Sequence, residues 1–157
     1  MADIFFTSAE HKQRWLTAIL SMGKVYNGKL DPEYASALYI LTSGTGTWNR
    51  AESYVDRDGI EFEALLAEAD FSGAYTELIR LAGNLFNGQT ACSPVELFRL
   101  DDRNFTLALN ALQIRRVSLP IDELASKTEI YNLEMDIRNR INRENIEKPW
   151  LPLQPGE

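Results

Sequence analysis

Two stretches of the chain, residues 75–88 and 104–115, carry apolar side chains around most of a helical circumference. In the first, Leu78, Leu81 and Leu85 recur at the three- and four-residue spacing of one helix face, which predicts an α-helix. A helix that is apolar on most sides is typical of a protein interior. We therefore predict that these two helices form the centre of an all-α fold.

Weaker helical patterns surround this centre. Residues 7–22, 31–41, 61–69 and 93–98 each combine apolar residues at helical spacing with a capping residue or an early proline. The glycine-rich residues 42–50 lack the lysine and the preceding strand of a phosphate-binding loop, so we interpret them as an ordinary loop. These patterns predict a compact bundle of about six or seven helices.

The C-terminal part of the chain has a different pattern. Val117 to Pro120 marks a boundary because proline cannot continue a helix, which divides the chain into a helical domain, residues 1–117, and an extension, residues 118–157. Residues 121–145 are predicted to form one long helix, followed by a proline-rich tail. Its apolar stripe is narrow and consists of Ile130, Leu133, Ile137 and Ile141. Such a stripe suits a seam with one partner helix, either in the same domain or in a second copy of the chain.

Three segments of the central region resemble known proteins. They are residues 78–88 (LIRLAGNLFNG), 93–98 (SPVELF) and 100–112 (LDDRNFTLALNAL). They are similar to a family of small bacterial and mobile-element proteins described only as a domain of unknown function. The resemblance covers roughly residues 4–117 and implies a fold, but it implies no catalytic residues.

Negative charge is concentrated in one region. The chain has a net charge of −7, and residues 52–77 contain eight acidic residues and one basic residue. Nucleic-acid binding needs clustered Lys and Arg, so we expect no direct contact with nucleic acid. A basic protein is the kind of partner that this region would attract. The candidate partner-binding residues are Asp56, Asp58, Glu61, Glu63 and Glu68 in this region, with Ile130, Leu133, Ile137 and Ile141 of the long helix.

Residues able to perform chemistry are few. The chain has one histidine, His11, and one cysteine, Cys92, whereas a zinc site needs several such ligands at short spacing. We expect no metal, no cofactor and no catalytic residue, and we interpret His11 as a surface residue of the first helix. One cysteine cannot form an intrachain disulfide, and no apolar run is long enough to span a membrane, so we expect a cytoplasmic protein.

A polar stripe on the first central helix has two interpretations. Arg80, Asn84 and Asn87, with Asn110 from the second helix, would bind an anion or a nucleotide if they converged on a pocket. Alternatively, Arg80 pairs with a carboxylate such as Asp101 or Asp102, and the amides stabilise loops and helix ends.

The sequence therefore supports two classes of function. The first is a non-enzymatic interaction or regulatory protein of bacterial or phage type, which binds a protein partner through its acidic region, its C-terminal helix or both. The alternative is a small-ligand binding protein, or a divergent enzyme, that uses Arg80 and Asn84. Homo-oligomerisation through residues 121–145 is a further possibility.

Overall fold

The computed structural model describes residues 3–147, and the all-α prediction is confirmed for them. This part of the chain contains two short antiparallel hairpins and eight α-helices. They are α1 (Ala9–Ser21), β1 (Val25–Tyr26), β2 (Lys29–Leu30), α2 (Pro32–Leu41), α3 (Thr45–Ala51), β3 (Val55–Asp56), β4 (Gly59–Ile60), α4 (Phe62–Glu68), α5 (Gly73–Asn87), α6 (Pro94–Leu97), α7 (Asp102–Arg116) and α8 (Lys127–Glu147). Within residues 3–147, no helix is both long and apolar enough to cross a membrane. The proline-rich tail lies outside the described residues.

The helix at the centre of the fold is α2. Every residue from Tyr34 to Leu41 is buried, and α2 packs against both α5 and α7. The two helices predicted as the centre exist as α5 and α7, but α7 is buried on one side only. Leu109 and Leu112 remain 46% and 39% exposed. The prediction for α7 was wrong because apolar residues on its outer side were assumed to be covered.

Helix ends follow their local sequence. The Asp31 carboxylate accepts hydrogen bonds from the backbone N–H groups of Glu33 and Tyr34, and Asp101 accepts one from Asn104. These bonds satisfy donors that the first turn of a helix leaves free. Helix α5 ends at Gly88, whose φ of 76° is the left-handed conformation that glycine adopts without a steric penalty.

The two hairpins are built alike and are followed by helices in the same way. Val25 pairs with Leu30 in the first hairpin, and Val55 pairs with Ile60 in the second. The residue after each hairpin donates its N–H back across the base, from Asp31 to Lys24 and from Glu61 to Tyr54. The second hairpin is held against α2 because the Tyr34 hydroxyl donates to the Asp56 carbonyl at 2.8 Å.

The glycine-rich segment corrects the loop prediction. Residues 45–51 form α3, with Gly44 as its N-cap and Thr47 and Ala51 buried. In a helix, glycine is less favourable than alanine by about 1 kcal/mol. Here the packing of one side of the segment in the core outweighs that cost.

The long C-terminal helix begins later than predicted. A 3₁₀ turn, Ile121–Glu123, precedes α8, and Ser126 and Glu129 form a capping box across the start of α8. Helix α8 packs on α1 of the same chain. Leu133 is buried and Ile130 packs against the core, whereas Ile141 is 52% exposed. The first half of the predicted seam is therefore intramolecular. Leu119 joins the extension to the first hairpin, because its carbonyl accepts from the N–H of Leu30 at 2.8 Å.

Candidate functional site

The second hairpin, the start of α4 and the end of α5 enclose an acidic groove of about 530 Å³. Its lining residues are Asp58, Gly59, Ile60, Glu61, Phe62, Glu63, Leu66, Phe86, Asn87, Gln89 and Thr90. Three of the five acidic residues predicted to bind a partner are in this set. The tertiary structure adds residues from the end of α5, which lie more than twenty positions away in the sequence.

The floor of the acidic groove is apolar. Phe62 and Phe86 are almost completely buried, and their ring centroids lie 6.0 Å apart. Tyr34 of α2 packs edge-on against Phe86 at 5.1 Å. Leu66 is half-buried and also lines the groove. Leu66 and the exposed edges of the two rings offer an apolar surface for the alkyl part of a ligand.

The rim of the acidic groove carries negative charge. Asp58, Glu61 and Glu63 are exposed, and the lining residues include no lysine or arginine. Within residues 3–147, the ion pairs involve other acids, Glu77 and Glu96. The three rim carboxylates therefore have no basic partner in the described part of the chain. Unpaired exposed carboxylates are free to pair with a ligand cation.

The end of α5 adds to this negative potential. The last carbonyl groups of a helix carry the negative end of its dipole, and Asn87 and Gln89 lie at that end of α5. The local loop is ordered by two amides. Asn84 donates to the Thr90 carbonyl at 2.9 Å, and the Asn87 side-chain oxygen accepts from the Gln89 N–H at 3.1 Å.

The acidic residues of the second hairpin also raise the pKa of a neighbouring hydroxyl group, that of Tyr34. Burial raises the pKa of Tyr34 to about 12, and the nearby carboxylates of Asp56, Asp31 and Asp58 raise it in the same direction. The other two predicted acids have local roles outside the groove lining. Asp56 accepts from the N–H groups of Asp58 and Gly59 and shapes the turn, while Glu68 accepts from the Tyr54 hydroxyl, which raises the pKa of Tyr54.

The polar stripe of α5 does not assemble as one site. Arg80 pairs with Glu77 at 2.6 Å, one turn earlier on the same helix, and 46% of the Arg80 side chain is exposed. The predicted partner Asp101 instead caps α7. A carboxylate three residues away on the same helix is within reach without any tertiary arrangement, which explains why Glu77 is the partner.

The three asparagines are engaged in different places. Asn110 accepts from the Phe5 N–H at 2.9 Å and donates to the Thr106 carbonyl, so it anchors the N-terminal segment to α7. Asn84 orders the loop after α5, and Asn87 lines the acidic groove. Of the four residues predicted as a small-ligand site, Asn87 is thus the one that the structure brings beside the candidate acidic residues.

His11 lies in the core, so its interpretation as a surface residue was wrong. Its Nε2 is 2.8 Å from the Tyr39 carbonyl, and its Nδ1 accepts from the Thr7 N–H at 3.1 Å. The aromatic rings of Phe6 and Tyr39 contact the imidazole. Burial, partly offset by the Tyr39 hydrogen bond, lowers the pKa of His11 from 6.5 to about 4. A neutral, fully hydrogen-bonded imidazole of this kind is a structural group.

A second groove, of about 400 Å³, lies between α1, α3 and α8. Its charged lining residues have mixed signs: Glu10, Arg14, Glu52 and Arg140. Arg14 already donates to the Thr42 carbonyl and to the Thr45 hydroxyl. The acidic groove is the better candidate for a basic partner, because all of its charged lining residues are acidic. In residues 3–147, no group of three or more His, Cys, Asp or Glu side chains is arranged to hold a metal ion.

Comparison with known proteins agrees with the resemblance seen in the sequence. The model of a family of unknown function (DUF6075) matches residues 1–120. No curated protein and no solved structure matches the chain.

Proposed function

Because the chain belongs to this family of unknown function, we propose its function from its own surface: it is a non-enzymatic interaction protein that binds a Lys- or Arg-containing segment of a protein partner in the acidic groove. One observation carries the proposal. Three carboxylates without basic partners surround a floor formed by two phenyl rings. This combination suits side chains that are apolar along the stem and positively charged at the tip.

The proposed contact has two physical components. The methylene groups of Arg or Lys would cover Leu66 and the exposed edges of the two phenyl rings, while the charged ends would meet Asp58, Glu61 and Glu63. Hydrogen bonds between ionised groups are stronger than neutral ones, and the guanidinium of Arg can bind a carboxylate through two parallel bonds. Because each exposed ion pair contributes only about 0–1 kcal/mol, several must form together for measurable affinity.

The outer half of α8 is a second contact region in this proposal. Ile141 is exposed, whereas Ile130 and Leu133 in the preceding turns of α8 pack in or against the core. We further propose that the protein is of bacterial or phage type and acts in the cytoplasm. The single cysteine supports this location, since secreted small proteins generally rely on disulfides.

The proposal is tested with a fluorescein-labelled peptide of alternating arginine and leucine, whose binding is followed by fluorescence anisotropy. The double variant Glu61→Gln/Glu63→Gln removes two rim charges. The matched control, Asp122→Asn/Glu123→Gln, removes two exposed charges from the 3₁₀ turn before α8. We expect the groove variant to weaken binding by about tenfold and the control to change it little, because Asp122 and Glu123 do not line the groove.

Salt provides a second criterion. Binding of the peptide to the unaltered protein should weaken as ionic strength rises, because the rim carboxylates are exposed. Equal weakening by the two double variants would mean that overall negative charge, rather than the groove, attracts the peptide. That outcome, or binding that is insensitive to salt, would contradict the proposal.

A further inference from the structure

The outer face of α7 bears a regular row of side chains. Asp102, Phe105, Leu109, Leu112 and Arg116 follow one another at spacings of three, four, three and four residues. This is the spacing of the contact positions in a coiled coil, where each side chain fits between residues of a facing helix. Leu109 and Leu112 are exposed, and Phe105 is partly exposed, although the opposite side of α7 is packed on α2 and α5.

The apolar surface continues beyond the start of α7. Phe98 is 70% exposed, and its ring lies 6.4 Å from that of Phe105. Val95 of α6 and Val117 after the end of α7 are also exposed. A contiguous apolar surface on a soluble protein marks an interaction site more often than scattered single residues do.

The order of side chains along this row shows what would cover it. Asp102 lies seven residues before Leu109 and Arg116 lies seven residues after it, so the two charged ends are equally far from Leu109, and Phe105 and Leu112 lie four residues before it and three after it. When such a row faces a second copy of itself in the antiparallel direction, Asp102 meets the partner's Arg116 and Phe105 meets the partner's Leu112. In a two-fold interface the same patch serves both subunits, so it must be complementary to itself.

We propose that the chain forms a two-fold symmetric dimer in which α7 packs antiparallel against α7 of a second copy. The contact row spans four helical turns, about 21 Å at 1.5 Å per residue. Leu109 lies on the two-fold axis, and Phe98 of each copy covers the region of the partner's Val117. A contact of this length is small compared with that of permanent dimers, so we expect a reversible, concentration-dependent dimer.

The first test is sedimentation equilibrium of the full chain across micromolar concentrations. The expected result is a concentration-dependent mass that rises from 17.8 kDa toward twice that value. The variant Leu109→Glu should raise the dissociation constant by about tenfold or more, because it brings two carboxylates together on the axis. The matched control is Tyr26→Glu, which places the same charge on an exposed side chain of the first hairpin and should leave the dimer unchanged.

Charge reversal tests the antiparallel arrangement. Asp102→Arg alone and Arg116→Asp alone should each weaken the dimer, since both ends of the interface then hold like charges. The double variant restores opposite charges at both ends, so its dissociation constant should return toward that of the unaltered protein. Circular dichroism of each variant confirms that helix content is retained.

Three outcomes would overturn the proposal. A full chain that stays monomeric throughout the concentration range would show that the α7 face does not pair with a second copy. A dimer that Ile141→Glu abolishes and Leu109→Glu leaves intact would place the interface on α8. A charge-reversed double variant no tighter than its single parents would exclude the antiparallel register.

Discussion

Protonation of His11 should weaken the folded state in mildly acidic solution. The imidazole is fully buried, and its pKa in the folded protein is about 4, compared with the ordinary value of 6.5. Between these values the unfolded chain binds a proton that the folded chain does not. The contribution of His11 to stability is therefore complete above pH 6.5 and is lost as the pH falls toward 4.

The size of this effect follows from the two pKa values. One pKa unit corresponds to about 1.4 kcal/mol, so the full loss amounts to about 3 kcal/mol, and about 2 kcal/mol of it falls between pH 7 and pH 5. Urea unfolding at a series of pH values, followed by tryptophan fluorescence, measures this loss, and the buried Trp15 is one of the three tryptophans of the chain. Trp15 is suitable because its ring lies in the same aromatic cluster, packed against Phe6 and Tyr39.

The variant His11→Gln separates this effect from the titration of carboxylates. Glutamine does not titrate, so the free energy of unfolding of the variant should depend less steeply on pH. At neutral pH the variant should be less stable than the unaltered protein, because the packing of the imidazole ring is lost. Parallel stability curves for the two proteins would refute the reasoning. A direct check is available because the chain has one histidine, whose NMR titration should give a pKa well below 6.5.

Three other substitutions or probes test local packing. Gly83→Ala should lower the free energy of unfolding by about 1–3 kcal/mol, because the added Cβ would lie 2.4 Å from the Thr90 hydroxyl oxygen. The control is Gly73→Ala on the same helix, whose added Cβ meets no atom within 4 Å. This control should be neutral or slightly stabilising. Asp101→Ala removes the N-cap of α7 and should cost about 1 kcal/mol in urea unfolding. Burial, together with the nearby charge of Glu77, raises the pKa of Cys92, so Ellman's reagent should react more slowly with the folded protein than with the unfolded one.

Local sequence was sufficient for most of the helices and for several of their ends. Asp31, Asp101 and Gly88 act at the helix ends where the sequence places them, because capping bonds join residues only a few positions apart. The capping box of Ser126 and Glu129 has the same local character and could have been recognised from its spacing. Gly83 lies inside α5 at a point where an added Cβ would meet Thr90 and Phe62, so these two residues approach the helix backbone closely there.

The candidate site could be predicted only in part. The concentration of acidic residues in positions 52–77 is visible in the sequence, but the groove also needs Phe86, Asn87 and Gln89 from the end of α5. Their approach to α4 depends on how α5 packs on α2 and α4. For Arg80, the sequence left open an anion pocket or a carboxylate partner such as Asp101 or Asp102, whereas the structure pairs Arg80 with Glu77.

The sequence by itself determined the class of fold, the positions of most helices and the sign of the charge on the 52–77 region, because periodicity, capping and composition act over short distances along the chain. Only the tertiary structure decided which apolar and polar residues are covered. His11 is buried and Leu109 is exposed, contrary to what local context indicates. The physical reason is that burial depends on which element packs against each helix face. Helix α2 packs against one side of α7, and the other side of α7 is exposed.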